Sequence, residues 1–228
     1  MKSKLSFEIS IVYDDICSEI GFRTGFGFSA LIYNNLTRNY LLFDTGGNGQ
    51  TLVHNINNFN VPISSIRKVI ISHNHHDHVG GLLEIYRQNK NIEIFVPLNN
   101  VNSFRKIFPE ASVNGISETV EIEYNIFSSG QFSGSFTPEQ CLILKVNDGK
   151  VILLVGCAHP GLEQFIIKAR EFGEIEGIIG GFHGFRKFEY LEGINFIGAC
   201  HCTQYIKPIK TKFPDTFYKI CVGSILKF

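Results

Sequence analysis

A short apolar, β-branched run, Lys68-Val-Ile-Ile-Ser72, passes without a break into His73-Asn74-His75-His76-Asp77-His78, and Leu82, Leu83, Ile85 and Tyr86 follow at helical spacing. The run is predicted to be a buried strand, because a few β-branched residues in succession suit a covered, pleated surface. The helix is predicted to start at Asp77. A polar cluster between a strand end and a helix N-terminus suits an α/β fold, with the cluster at the sheet edge where such folds tend to carry their sites. Four of the eight histidines fall within six consecutive positions, with a carboxylate among them. Imidazoles and a carboxylate at alternating spacing suit a borderline divalent cation such as zinc, at roughly 2.0–2.2 Å from each ligand. A solvated, histidine-rich loop is the bland alternative; the prediction is a metal site.

Around this unit the chain alternates strand and helix signals. Strands are predicted at Leu5–Val12, Phe28–Tyr33, Asn39–Phe43, Ile92–Val96 and Glu118–Tyr124, and helices at Thr51–Asn58 and Val101–Phe108. Leu142–Val146 and Val151–Val155 read as a hairpin about Asn147-Asp148-Gly149-Lys150, where Asp-Gly supplies the positive-φ turn. Pro160–Phe172 reads as a helix closed by Gly173, followed by strands at Gly177–Ile179 and Ile194–Ile197, a helix after Thr203 and a last strand near Tyr218–Leu226. Both halves thus run from sheet to helix, which predicts two sheets face to face with helices outside, a four-layer αββα sandwich. One domain is expected over residues 1–228, since no Pro/Gly/Ser linker or charge run divides them. The segment Ser128–Thr137, rich in Gly and Ser but carrying Phe132 and Phe136, is read either as a plain connection or as a flap over the site.

Three further histidines share one context, an apolar strand followed within a few residues by an imidazole: His159, His183 and His201. Adjacent parallel strands would line these ends along one sheet edge. His54 lacks the context and is expected to be a surface or packing residue. Hydrophobic residues make up 44% of the chain and charged ones 18%, enough to bury a sizeable core. Lys+Arg and Asp+Glu stand at 21 each with no basic block, which argues against a nucleic acid or an anionic membrane as partner. Met1-Lys2-Ser3-Lys4 leads into strand-like sequence instead of an apolar export segment, so a cytoplasmic protein with all six cysteines reduced is expected.

The spacing His73-x-His75-x-Asp77-His78 resembles the signature of the metallo-β-lactamase superfamily of metal-dependent hydrolases, and Leu41-Leu42-Phe43-Asp44-Thr45-Gly46 resembles its earlier Asp-containing motif. Gly156-Cys157-Ala158-His159-Pro160-Gly161, Gly180-Gly181-Phe182-His183 and His201-Cys202-Thr203 resemble one branch of it. That branch contains the archaeal dihydropterin-ribofuranosylaminobenzene phosphate synthase and many bacterial relatives. The resemblance spans about residues 25–226. It implies His73, His75 and His159 as ligands of a first metal and Asp77, His78 and His201 as ligands of a second, with Asp44 orienting a ligand from behind. Cys157 stands where most members carry a bridging aspartate, and is read either as a thiolate ligand or as a buried structural thiol. Gln204 stands where a glycine is expected.

Two divalent ions, zinc with manganese or iron as alternatives, would share a water, lower its pKa toward 7 and polarise a phosphoryl or carbonyl oxygen. Asp77 would orient the nucleophile. His183 would donate to a leaving group or a phosphate oxygen, and Gly180 and Gly181 would let the backbone approach a substrate. The leading expectation is a hydrolase of a phosphate-containing small molecule. A pyrophosphate-displacing pterin synthase is the second, and a non-catalytic metal-binding module the third. The chain holds 21 phenylalanines and no tryptophan, which is expected to leave aromatics exposed and would suit a homodimer.

Overall fold

In a computed structural model that describes residues 6–133 and 137–228, the alternating apolar sequence of residues 7–43 folds as three antiparallel neighbours. These are β1 (Phe7–Tyr13), β2 (Ser29–Asn34) and β3 (Asn39–Phe43). The direction then changes. Helix α1 (Gly49–Asn58), whose first turn is capped by the Asn48 side chain accepting from the Thr51 N–H, carries the chain over to β4 (Ile66–Ile70), parallel to β3. Helices α2 (His76–Val79) and α3 (Leu82–Gln88) lead to β5 (Glu93–Pro97), and α4 (Val101–Ile107) leads to β6 (Ser112–Ile116), again all parallel. Leu42, Leu52, Ile56, Val69, Ile85 and Ile94 are fully buried in the core of this unit.

The second half builds a sheet of its own from β7 (Val120–Glu123), β8 (Ile126–Ser128), β9 (Leu142–Lys145), β10 (Lys150–Val155), β11 (Glu174–Gly181) and β12 (Phe196–Cys200), in the order 12-11-10-9-8-7. Strands β7 to β10 are antiparallel neighbours, whereas β10, β11 and β12 run parallel. Helix α5 (Leu162–Arg170) forms the crossover between β10 and β11, and α6 (Ile206–Lys212) follows β12. Leu153, Leu162, Phe165, Ile178 and Ile197 are buried at its core. The last strand, β13 (Ile225–Lys227), returns to pair with β1 at the edge of the first sheet. Contacts accordingly divide the chain into two compact units, Met1–Ser117 with Cys221–Phe228, and Glu118–Ile220.

The α/β class and most elements lie where the sequence puts them. The expected 142–155 hairpin forms, with Gly149 at φ 72° in its turn. Four expectations are corrected. The strand at Tyr218–Leu226 is reduced to Ile225–Lys227, because Gly223 at φ 99° and the Cys221 N–H to Ser224 Oγ bond turn the chain before it pairs. The cysteines are not all reduced: Cys17 and Cys221, 204 positions apart, form a disulfide within the first unit. Strands β6 and β8 are additional, and their Ser, Asn and Gly content or brevity hides them from any periodicity. Phe132 is no flap residue: it pairs by backbone with Glu139, and its ring lies edge-on to Phe165 at 5.3 Å. Phe136 lies outside the described residues. Among the described residues no helix is long and apolar enough to cross a membrane.

Candidate metal centre

Asp44 follows β3 directly in the left-handed region, at φ 55°, and is wholly buried. Because β3 and β4 are parallel neighbours, its carboxylate reaches the end of β4. There it accepts the Ser72 N–H at 2.7 Å, the Ser72 hydroxyl at 2.7 Å and the His78 Nδ1–H at 2.7 Å. The next residues grip the turn of α2: the Thr45 N–H and hydroxyl both donate to the His78 carbonyl, at 2.7 and 2.9 Å. This close approach is why Gly80 and Gly81 interrupt the single helix expected from Asp77 onward. A Cβ on Gly81 would stand 2.2 Å from the Thr45 carbonyl oxygen, and one on Gly80 2.5 Å from that of Gly47.

Two donor pairs result within the first unit. His73 has Nδ1 at 2.9 Å from Ser72 Oγ and Nε2 at 3.1 Å from His75 Nδ1. His78, with Nδ1 on Asp44, presents Nε2 3.5 Å from Asp77 Oδ2. The His73 and His78 ring centres are 4.1 Å apart, and both side chains are buried. Two imidazole nitrogens facing each other at 3.1 Å need a shared proton or a cation between them. Directing the outer nitrogen of a histidine by a carboxylate or hydroxyl is how proteins orient metal ligands. Burial disfavours charge on His78, but the Asp44 carboxylate at its side, with Asp77 beyond, outweighs this and pushes it up to about 10. His76 points to solvent, and His54 is a surface residue hydrogen-bonded to the Gly21 carbonyl at 3.0 Å.

In the second unit the three strand-end histidines do line one sheet edge, since β10, β11 and β12 run parallel and each ends just before one of them. Each strand is followed by a non-glycine residue in the left-handed region: Ala158 at φ 63°, His183 at 43° and His201 at 47°. With Asp44, that makes four strand ends bent through a conformation costing about 1–3 kcal/mol each, a kind of strain that collects at functional sites. Gly180, at φ 128°, is demanded by packing: a Cβ there would lie 1.9 Å from the Val155 carbonyl oxygen. Gly181 is likewise pressed against Gly156 and the Cys202 sulfur.

His159 is held by a residue that sequence reasoning missed. The buried Glu139 accepts the backbone N–H groups of Cys157 and Ala158 at 2.8 and 2.9 Å, the His159 N–H at 2.8 Å and His159 Nδ1 at 2.9 Å. Burial pushes this carboxyl up, but the His159 ring and the backbone N–H groups prevail and hold it below the usual glutamate range. Glu139 therefore directs His159 as Asp44 directs His78, leaving Nε2 as the nitrogen for ligation. The only sequence signal was a lone carboxylate entering an apolar strand, Glu139-Gln140-Cys141-Leu142. Replacing Glu139 by glutamine is expected to weaken divalent-metal binding about 10–100-fold and folding by about 1–3 kcal/mol, measured by calorimetry and urea unfolding. A depressed folded-state pKa means that the Glu139 contribution is present above the unfolded glutamate pKa and lost as pH falls through the folded one. The variant should accordingly show a flatter acid limb of stability.

Cys157 is buried, with its Sγ 3.2 Å from Cys202 Sγ. The sequence marks Cys202 only as part of the His201-Cys202-Thr203 motif and gives no sign of this pairing. The Cys157 thiol, together with His201, draws the Cys202 thiol down to about 6 against the effect of burial. His183 is exposed, its ring centre 5.2 Å from that of His159.

Residues 22–105 match the family model of the anti-Pycsar protein Apyc1. The chain is 28% identical to the uncharacterised protein MJ0448 of Methanocaldococcus jannaschii, over 88% of this chain and 92% of that protein. It is 25% identical to the 7,8-dihydropterin-6-methyl-4-(β-D-ribofuranosyl)-aminobenzene-5'-phosphate synthase of the same organism, over 90% of each. Among solved structures it is similar to Tm1679, a metal-dependent hydrolase of the β-lactamase superfamily, with a TM-score of 0.75 and 20% identity over 97% of this chain and 99% of that one. Two mixed sheets with helices are thus those of the metallo-β-lactamase fold, and the chain resembles the archaeal synthase and MJ0448 over about nine-tenths of its length.

Proposed function

We propose that this protein is a metal-dependent hydrolase of a phosphate-containing small molecule. Its ligands are His73, His75 and His159 for one divalent ion, and Asp77, His78 and His201 for a second. The observation that carries this reading is the pairing of His73 Nε2 with His75 Nδ1 and of Asp77 with His78 Nε2, the outer nitrogens of His73 and His78 being already directed by Ser72 and Asp44. Zinc is the first candidate for both ions, since the donors are imidazole and carboxylate. Bound there, such ions lower the pKa of water and neutralise charge on a phosphoryl group.

The chain's own residues do the rest. Asp77 orients the attacking oxygen, and Asp44 and Glu139 keep His78 and His159 in the tautomers that ligate. His183, exposed and 5.2 Å from His159, protonates the leaving oxygen or binds a phosphate oxygen. Changing His183 to alanine is expected to leave metal content intact and to lower turnover about 10²–10⁴-fold. Lost metal in that variant would make it a ligand instead.

Likeness to the archaeal synthase favours a second reading, in which an electron-rich aminobenzene riboside and not water displaces pyrophosphate from a dihydropterin. Product analysis by mass spectrometry separates the two. Metal-loaded protein is mixed with hydroxymethyl-dihydropterin diphosphate, with and without the aminobenzene ribofuranosyl phosphate, and with a panel of phosphodiesters. A condensed product plus pyrophosphate, formed only with both partners, establishes the synthase; water-derived cleavage alone establishes the hydrolase. Full metal loading with no turnover on any of them would leave a binding module.

A further inference from the structure

A cleft of about 370 Å³ opens in the second unit beside His159 and His183, bordered by Pro160, Phe185, Arg186 and Lys187 among others. That volume is in the range of small-molecule sites. Its two cations are not equivalent. Lys187 is paired with Glu163 at 2.7 Å. Arg186 has no carboxylate against it among the described residues; its guanidinium lies 4.5 Å above the Tyr205 ring and donates to the Tyr205 hydroxyl. The loop carrying it is fixed from both sides. Phe182 and Phe185 are buried beneath it, the Phe182 N–H donates to Thr203 Oγ1 at 2.9 Å, and the Gln204 N–H donates to the His183 carbonyl at 2.9 Å. Stacking on tyrosine keeps the planar fork oriented at little entropic cost, and the fork matches phosphate or carboxylate oxygens.

We infer that Arg186 is the anion-recognition residue of this cleft, and that the substrate carries two anionic groups: the reacting phosphoryl group beside His159 and His183, and a second phosphate or carboxylate on Arg186. A lone arginine in a mostly apolar cleft, next to a ligand histidine, gives a doubly anionic molecule two anchors and a singly anionic one only the first. This rests on the phosphate-ester reading above and narrows it to a substrate class.

The test uses bis(4-nitrophenyl) phosphate as reporter substrate for the metal-loaded protein. Methyl phosphate, phosphoglycolate and fructose 1,6-bisphosphate serve as competitors, each also titrated by calorimetry. In the unmodified protein at least one of the two competitors that carry two anionic groups should bind ten or more times more tightly than methyl phosphate, which carries one. Arg186→Gln should weaken that competitor about 10–100-fold, the equivalent of losing a charged hydrogen bond, and so remove the preference. Tyr205→Phe, which keeps the ring but drops the hydroxyl, should weaken it by a smaller factor. A preference that survives Arg186→Gln, or no preference in the unmodified protein, overturns the inference. Absent turnover of the reporter and of the phosphodiester panel would refute the hydrolase reading separately, with calorimetry still deciding whether Arg186 holds the anion.

Discussion

Replacing Asp44 by alanine is expected to cost about 3–5 kcal/mol of folding stability, the loss typical of removing one partner from a buried charged pair. Alanine leaves the Ser72 N–H, the Ser72 hydroxyl and the His78 Nδ1–H without the acceptor that now lies 2.7 Å from each. It also places a Cβ with no local hydrogen bonding at φ 55°, a region that aspartate and asparagine tolerate better. Against a typical total of about 5–15 kcal/mol, such a loss is enough to unfold a marginal protein. Urea unfolding of three variants separates the causes. Asp44→Gly relieves the backbone but not the hydrogen bonds and should remain badly destabilised. Asp44→Asn keeps the shape and one acceptor; it should fold, yet bind zinc about 10–100-fold more weakly because His78 is no longer directed. An asparagine variant with unmodified zinc affinity would show that Asp44 serves folding alone.

The same carboxylate shows how much of this protein was legible in advance. Local chemistry was readable. The run into His73 could only be a strand end, and the strand–histidine pattern at 159, 183 and 201 correctly placed three imidazoles on one sheet edge. Cβ-scale packing was not. The break between α2 and α3 at Gly80-Gly81 answers to the carbonyls of Thr45 and Gly47, more than 30 positions earlier, and no helical periodicity registers a backbone from elsewhere. Nor could Glu139 be found, because what makes it matter is its burial against the turn that follows β10, at residues 157–159. Where a motif encodes ligand chemistry the sequence speaks for itself. Where a residue works through one distant partner, as Glu139, Cys202 and Arg186 do, only the fold supplies the pairing.

Metal removal should act on stability and activity through the same residues. Zinc at 100 times its dissociation constant is expected to stabilise the unmodified protein by about 2.7 kcal/mol per site, by mass action alone, and a chelator should abolish that gain. On the proposed ligand sets, His73→Ala, which removes the nitrogen facing His75, would release one ion, and Asp77→Ala, which removes the carboxylate beside His78, would release the other. Each variant should therefore bind about one equivalent less by elemental analysis and lose part of the zinc-dependent rise in Tm. Turnover should fall by more than roughly 100-fold, since even residues that merely orient a ligand cost 10–100-fold. The two variants also test each other. If the ions are held by separate donor sets, His73→Ala retains the Asp77 site, and the double variant should lose metal additively. Loss of both ions from either single variant would mean one mutually dependent cluster, as expected if one group bridges the two ions. Full metal content in both single variants would sink the ligand assignment, and with it the explanation for why His73 and His75 face each other at 3.1 Å.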